Sequence, residues 1–250
     1  MNRPRLLILN GARSAINMTR VSVLVCATIA ATGCGSSTSS SSPDFVDAAK
    51  PDEKEKVKDE AATLYNVEKK AFDQNRYLDA DEVKKVTQSF DKIAESATPE
   101  AAKKIRAMSE AVKAYRGKLE EFKALGGAKV ETLKSEKDLD NRIVMINQLM
   151  ASSDHVRETC AANEPDASNL RTIDLEHQLL GKIQEQLKFY KAHYGKWKIP
   201  KSGPALFSVT PAELHQFNQL AADIKLLGEQ QMQIMKKNTQ ERLNRLKAAQ

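Results

Sequence analysis

The side chains best suited to binding chemistry lie between residues 188 and 207. Lysines alternate there with aromatic rings, in the order Lys188, Phe189, Tyr190, Lys191, Tyr194, Lys196, Trp197, Lys198, Lys201 and Phe207. Ammonium groups placed among aromatic rings bind anionic or amphipathic ligands through ion pairs and cation–π contacts. The candidate binding residues are Lys191, Tyr194, Lys196, Trp197, Lys198 and Lys201.

The same segment also has a purely structural interpretation. Tyr190, Tyr194 and Trp197 follow one another at steps of four and three residues, which keeps them on one helix face. The rings would then close one end of a helical domain while the lysines stay in water. In both interpretations we expect the segment to fold back on the domain, with Trp197 at least partly buried and the lysines after residue 195 exposed.

Metal-binding patterns are incomplete. The four histidines are 16 or 22 residues apart and form no HExxH or ExxH motif, although Asp174 and His177 share one helix face. Residues 73–84 follow the spacing of a calcium-binding loop, but leucine replaces the turn glycine and lysine replaces the bidentate glutamate. We expect instead that Asp79 caps the next helix, with Glu82 as the third residue of that helix.

Catalytic patterns are incomplete too. Ser89 and Lys92 fit the spacing S-x-x-K, and residues 201–203 are similar to the K-T-G of penicillin-recognising enzymes, but the third element of that site is missing. We expect Ser89 and Lys92 to lie on an ordinary helix surface. Because no set of residues combines a base, a nucleophile and an orienting partner, we predict a non-catalytic protein without metal or cofactor.

The elements that position these residues are predicted to be helices. From about residue 51, apolar side chains recur every three or four residues, and no alternating strand of useful length is present. Thr98 and Pro99 open the helix with the clearest stripe, with the Thr98 hydroxyl as its cap. That stripe consists of Ile105, Met108, Val112, Tyr115, Leu119 and Phe122. Residues 210–213 match a capping box at the start of the last helix.

Two glycines, Gly126 and Gly127, break the third helix. The next helix carries Leu133, Leu139, Ile143, Ile146 and Met150. Two long amphipathic helices joined by Gly-Gly indicate an antiparallel hairpin, with Tyr115, Leu119 and Phe122 facing the fourth helix. The predicted fold class is all-α, an antiparallel bundle of about five or six helices, because the stripes are too short for a fibrous coiled coil.

The chain has 250 residues, with 39 Lys+Arg against 33 Asp+Glu and a formal charge of +6. Four of those arginines lie in residues 1–33, which contain no acidic residue, so 35 basic residues remain against 33 acidic ones. A nucleic-acid-binding domain needs a basic surplus on its folded surface. We therefore predict no nucleic-acid partner.

The leader indicates export. Residues 21–33 form an apolar run behind Arg20 that is too short to span a bilayer and is typical of a signal peptide. Two start sites are compatible with this pattern: a start at Met18 gives a compact leader, and a start at Met1 gives a long one. Residues 31–34, Ala-Thr-Gly-Cys, resemble the lipobox of bacterial lipoproteins, with Ala31 where Leu is usual.

The resemblance implies cleavage before Cys34 and lipidation of its sulfur, with the membrane as a partner through the lipid anchor. Gly35 follows the cysteine where an Asp would signal inner-membrane retention, which favours the outer membrane, facing the periplasm, in a Gram-negative source. Residues 35–42 are a Ser-rich, flexible stretch. Once Cys26 has left with the signal peptide and Cys34 is acylated, Cys160 is expected to be a buried structural thiol or to form an intermolecular disulfide.

These observations divide the chain into three parts. Residues 1–33 are the signal peptide, residues 34–50 the lipidated cysteine and tether, and residues 51–250 the helical-bundle domain. The expected function is that of a lipid-anchored, non-catalytic cell-envelope protein whose bundle is an interaction or structural module, with an envelope protein as partner. The alternative is a ligand-binding bundle that uses the segment 188–207 for an anionic or amphipathic ligand.

Overall fold

The structure is a computed structural model that describes most of the predicted domain. The described residues are 49–74, 76, 78–129, 132–133, 135–163, 167–198 and 206–248. The predicted signal peptide, Cys34 and most of the tether lie outside them. No helix within the described ranges is long and apolar enough to cross a membrane.

The described part of the chain is an all-α bundle, which confirms the predicted fold class. It contains six helices: α1 (Lys54–Asp73), α2 (Ala80–Ser96), α3 (Pro99–Ala124), α4 (Glu136–Asn163), α5 (Ala167–Ala192) and α6 (Pro211–Ala248). Two short strands that the sequence analysis did not predict, β1 (Trp197–Lys198) and β2 (Leu206–Phe207), pair antiparallel between α5 and α6, with Trp197 opposite Phe207.

Side-chain contacts show that consecutive helices run antiparallel. Arg157 and Lys191, near opposite ends of the α4–α5 pair, contact Asp174 and Asp140 respectively. The chain enters the bundle at Ala49, which forms an isolated bridge with Ala97 at the end of α2. Helix α5 therefore packs back along α4, as a short connection in a helical bundle requires.

The apolar interior has two parts. The first apolar cluster joins buried residues of α1, α2 and the beginning of α3 with Leu246 near the end of α6. The second apolar cluster joins the rest of α3 with α4, α5 and the first two thirds of α6. Helices α3 and α6 contribute to both clusters, and α6 does so as one uninterrupted helix of 38 residues.

Two of the predicted helix starts are confirmed in detail. At α2, the Glu82 backbone N–H donates to Asp79 Oδ1 at 2.9 Å, and the Asp79 N–H donates to Glu82 Oε2 at 3.1 Å. At α6, the Thr210 N–H donates to Glu213 Oε2 at 2.7 Å, and the Glu213 N–H donates to Thr210 Oγ1 at 3.3 Å. Both are reciprocal capping boxes, which satisfy backbone donors that a helix start leaves free.

Two other helix starts differ from the prediction: α3 begins at Pro99 as predicted but without the Thr98 hydroxyl cap, and α4 begins after Leu133. The Thr98 side chain makes no capping hydrogen bond at α3, where Pro99 has no N–H to satisfy and its fixed φ angle starts the helix. Helix α4 begins at Glu136, so Leu133 lies in the loop before it and still packs on the second apolar cluster. The Ser135 N–H donates to Asp138 Oδ2 at 3.0 Å, which favours a start at this point over a start before Leu133.

The predicted hairpin of α3 and α4 is confirmed. Tyr115, Leu119 and Phe122 are buried in the second apolar cluster together with Leu139. The buried stripe of α4 differs slightly from the predicted one, because Leu149 is fully buried while Met150 is only partly so. Leu149 and Met150 lie three and four residues after Ile146, and both steps fit a helical stripe, so the sequence alone does not show which of the two is buried.

A buried arginine organises the α3–α4 loop. Arg142 of α4 is 1% exposed, and its Nη1 donates to the carbonyl oxygens of Gly127 at 3.1 Å and Lys129 at 2.5 Å. Its Nη2 donates to Thr132 Oγ1 at 2.7 Å. The φ angle of Gly126 is +94°, and a Cβ atom there would lie 2.3 Å from Thr132 Oγ1. The loop therefore closes around the guanidinium only with glycine at position 126.

This geometry predicts that Gly126→Ala destabilises the protein. The left-handed φ angle alone costs roughly 1–2 kcal/mol for alanine, and the clash with Thr132 and Arg142 adds to it. The matched control is Gly117→Ala in α3, where a Cβ atom meets nothing within 4 Å and helix propensity should add about 0.5–1 kcal/mol of stability. Urea denaturation measures both changes, and equal effects at the two glycines would contradict the proposed loop packing.

Candidate functional site

The aromatic residues of the candidate segment pack at one end of the bundle. Phe189 and Tyr190, on the last turns of α5, are buried and contact Phe217 of α6 with ring centroids 5.2 and 5.4 Å apart. Trp197 of β1 packs edge-on against Tyr190 at 5.3 Å. We call this group, with His193, Tyr194 and Glu213, the aromatic end.

Trp197 is held in place by a hydrogen bond as well as by packing. Its indole Nε1–H donates to the backbone carbonyl of Tyr190 at 3.1 Å, and its side chain is partly buried against the second apolar cluster. This confirms the expectation that Trp197 is at least partly buried against the bundle, while residues 199–205 of the predicted loop lie outside the described part. Tyr194 lies outside the packed rings, with 42% of its surface exposed and its ring 6.1 Å from Trp197.

His193 links the end of α5 to the start of α6. Its Nδ1 lies 2.9 Å from the carbonyl oxygen of Phe189, and its Nε2 lies 3.0 Å from Glu213 Oε1. The imidazole ring thereby bridges the last turn of α5 and the first turn of α6. The hydrogen bonds from His193 and Thr210 lower the pKa of Glu213 to about 2.

The candidate lysines have different surroundings. Lys191 is half-buried and its ammonium contacts Asp140 of α4, which raises the pKa of Lys191. Lys196 is exposed, as expected, and its backbone carbonyl accepts a hydrogen bond from Ser208. The backbone of Lys198 lies in β1, but its side chain and all of Lys201 are outside the described part of the structure. The structure thus brings four candidates, Lys191, Tyr194, Lys196 and Trp197, to one end of the bundle.

Described residues of the two candidate metal patterns, the histidine pattern and the calcium-like segment, contact other side chains of the bundle. Asp174 pairs with Arg157 at 2.6 Å, whereas His177 Nδ1 lies 3.1 Å from Asp154, so the two residues lie next to different side chains of α4. In the calcium-like segment, the Arg76 guanidinium donates to both oxygens of Glu82, at 2.5 and 2.6 Å. These hydrogen bonds hold the pKa of Glu82 at about 2.

The prediction that Ser89 and Lys92 both lie on the helix surface is correct for Lys92 and wrong for Ser89. Lys92 is on the surface, where it pairs with Glu60 of α1 at 2.6 Å. Ser89 is buried, with 2% of its surface exposed, because it lies next to Phe90 on the inner face of α2. Cys160 is also buried, with 1% exposed, as expected of a structural thiol.

A buried polar cluster was missed by sequence reasoning. The Tyr115 hydroxyl of α3 donates to Glu176 Oε1 of α5 at 2.5 Å, and the side-chain amide of Gln231 from α6 donates to Glu176 Oε2. Further along α6, the Asn238 amide donates to the Thr172 hydroxyl at 3.2 Å. Gln231 and Asn238 are seven residues apart, one heptad, which is the only sequence signal for this cluster.

These arrangements hold helices together. At the aromatic end the Thr210 hydroxyl donates to Glu213 Oε2 at 2.7 Å, and His193 Nε2 lies 3.0 Å from the other oxygen of the same carboxylate. The described residues contain no group of three His, Cys, Asp or Glu side chains that could hold a metal ion. The chemistry available at this end is ion pairing, hydrogen bonding and aromatic contact.

Comparison with protein-family models gave no match, and comparisons with curated proteins and with solved structures gave none either. Function is therefore inferred from the residues of this chain and their contacts.

The low pKa of Glu213 predicts acid sensitivity at the aromatic end. Its folded-state pKa of about 2 lies below its ordinary value of 4.5, so its contribution to stability is complete above pH 4.5 and is lost as the pH falls towards 2. We expect Glu213→Gln to lower the thermal midpoint at pH 6, and the difference from the parent protein to shrink towards pH 2. The control is Glu158→Gln on the exposed face of α4. A difference that does not depend on pH would contradict the assignment.

Proposed function

We propose that this chain is a lipid-anchored, non-catalytic protein of the bacterial cell envelope, and that its helical bundle is an interaction or structural module. One observation carries the proposal: a signal-like leader, Cys34 and a Ser-rich stretch come in that order before a helical domain. Together they form an export signal, an attachment point and a flexible spacer. A lipid chain with such a spacer holds a folded body at a membrane.

Residues 49 and 50, at the end of the predicted tether, pack on the end of α2. The Lys50 N–H donates to the Ser96 carbonyl at 3.0 Å, and the Lys50 ammonium donates to the Glu95 carbonyl at 3.1 Å. Ala49 is 4% exposed and belongs to the first apolar cluster.

The use of polar side chains supports a non-catalytic role. His193 and Glu213 join α5 to α6, Arg142 closes a loop, and Glu176 connects three helices. Each of these groups is engaged by other parts of the bundle, and catalysis instead requires groups directed at a substrate. Function is then carried by the outer surface of the bundle.

The alternative, a ligand-binding bundle that uses residues 188–207, is favoured by one observation. Tyr194 and Lys196 remain exposed beside the packed rings of Tyr190 and Trp197. An exposed aromatic ring next to an ammonium group suits a partner that is anionic and partly apolar. The two candidate functions agree if the ligand is itself a surface of another envelope component.

The proposed function predicts that Cys34 carries lipid. Cells that express the chain are grown with an alkyne-tagged fatty acid, and the protein is expected to take up the label and to be recovered with the membrane fraction. Cys34→Ser should abolish the label because the acceptor sulfur is gone. The matched control Cys26→Ser should keep it, because Cys26 lies within the predicted signal peptide. An unlabelled, uncleaved product in the soluble fraction would contradict the proposal.

A further inference from the structure

Helices α1 and α2 form a hairpin whose contacts are mostly internal. The two helices contact each other more extensively than α2 contacts α3 or α1 contacts α6, and within the described ranges neither has an extensive contact with α4 or α5. Two ion pairs also lie inside the hairpin: Lys92 pairs with Glu60 at 2.6 Å, and Arg76 donates to both oxygens of Glu82. The α1–α2 hairpin therefore has the contacts of a unit that moves as one body.

The chain enters the bundle through the same hairpin. Ala49 forms its bridge with Ala97 at the end of α2, and the Lys50 N–H donates to the Ser96 carbonyl. These contacts stay within the hairpin when it separates from α3 and α6. The entering chain therefore does not tie the hairpin to the rest of the bundle.

The first apolar cluster, which attaches the hairpin to α3 and α6, consists largely of small side chains. Seven of the 16 described residues buried there are alanine, whereas the second apolar cluster buries one alanine, Ala111, among 22 residues. An alanine side chain is a single methyl group, so it removes less apolar area from water than leucine or isoleucine does. The apolar contribution to stability per buried residue is therefore smaller in the first apolar cluster.

The buried ion pair between α1 and α6 is only partly satisfied. Arg242 Nε donates to Glu68 Oε2 at 2.6 Å, but Arg242 Nη1, Arg242 Nη2 and Glu68 Oε1 are buried without a hydrogen-bond partner in the described part of the chain. The cost of taking such charged groups out of water can exceed what their mutual attraction returns. A pair of this kind specifies which helices meet, and it does so at a cost in stability.

We propose that the α1–α2 hairpin is a strap that opens from α3 and α6 as one unit, at a lower free energy than global unfolding, with the Glu68–Arg242 pair as its weak joint. Units with few large apolar contacts open most readily in native proteins. Opening uncovers Ile105 of α3 and Leu246 of α6, which pack with the hairpin in the first apolar cluster. The inference concerns the bundle alone and does not depend on the lipid anchor.

The test is native-state hydrogen exchange of the full-length chain in a non-ionic detergent, at urea concentrations below the unfolding transition. The amides of α1 and α2 are expected to share one opening free energy. Their opening constant should exceed that of the α4 and α5 amides at least tenfold, which corresponds to about 1.4 kcal/mol.

A conservative change in the second apolar cluster tests whether the hairpin opens by itself. Ile146 of α4 is fully buried, and Ile146→Val removes one methylene group from a part that stays folded when the strap opens. The variant should exchange several-fold faster in α4 and α5, with α1 and α2 unchanged, because only global unfolding exposes that site.

A double variant tests the joint. Glu68→Leu with Arg242→Met removes both charges and keeps apolar volume, so it should slow exchange in α1 and α2 about tenfold. The matched control, Lys69→Met with Asp73→Leu, makes the same kind of change at an exposed ion pair of α1. It should alter exchange far less, because exposed pairs contribute little stability.

Three outcomes would overturn the proposal. The first is an equal opening free energy for the hairpin and for α4 and α5 in the parent protein. The second is an equal change in both parts in the Ile146 variant. The third is faster exchange in α1 and α2, or a loss of helical circular dichroism, in the Glu68 and Arg242 double variant.

Discussion

The whole bundle depends on how α6 is held, because this helix, like α3, contributes to both apolar clusters. Its central constraint is a buried ion pair: Arg242 Nε donates to Glu68 Oε2 of α1 at 2.6 Å, with both residues at most 2% exposed. Burial raises the pKa of Glu68, and the charge of Arg242 opposes that rise. Either charge without the other would be strongly unfavourable in this interior, so α1 and α6 can pack in this register and in few others.

Polar contacts fix the register of α6 along its length. Gln231 meets Glu176 of α5, and Asn238 meets Thr172 one heptad further on. Apolar side chains tolerate a sliding of one helix past another, whereas a displaced buried amide loses its partner. With α6 fixed in this way, its first turn places Glu213 opposite His193 at the aromatic end.

Sequence periodicity predicted the helices because their apolar stripes are long and their starts carry capping residues. The spacing of Asp79 and Glu82, and that of Thr210 and Glu213, identified the two capping boxes. It did not predict the partners of Arg142, which bonds to backbone carbonyls of a loop, or the short strands after His193, because neither leaves a repeated pattern. The candidate lysines and aromatic residues were found from their alternation within one segment, but only the fold shows which of them are exposed.

The most direct test of this account is hydrogen exchange of the parent protein and of Glu68→Gln, which keeps the shape of the side chain and removes its charge. If the ion pair joins α1 to α6, the variant should lose about 3–5 kcal/mol of protection in the amides of α1, and less in those of α5, which lies in the second apolar cluster. Glu55→Gln, at an exposed position on the same helix, should change neither. Unchanged protection of α1 in the Glu68 variant would contradict the central role given to this pair.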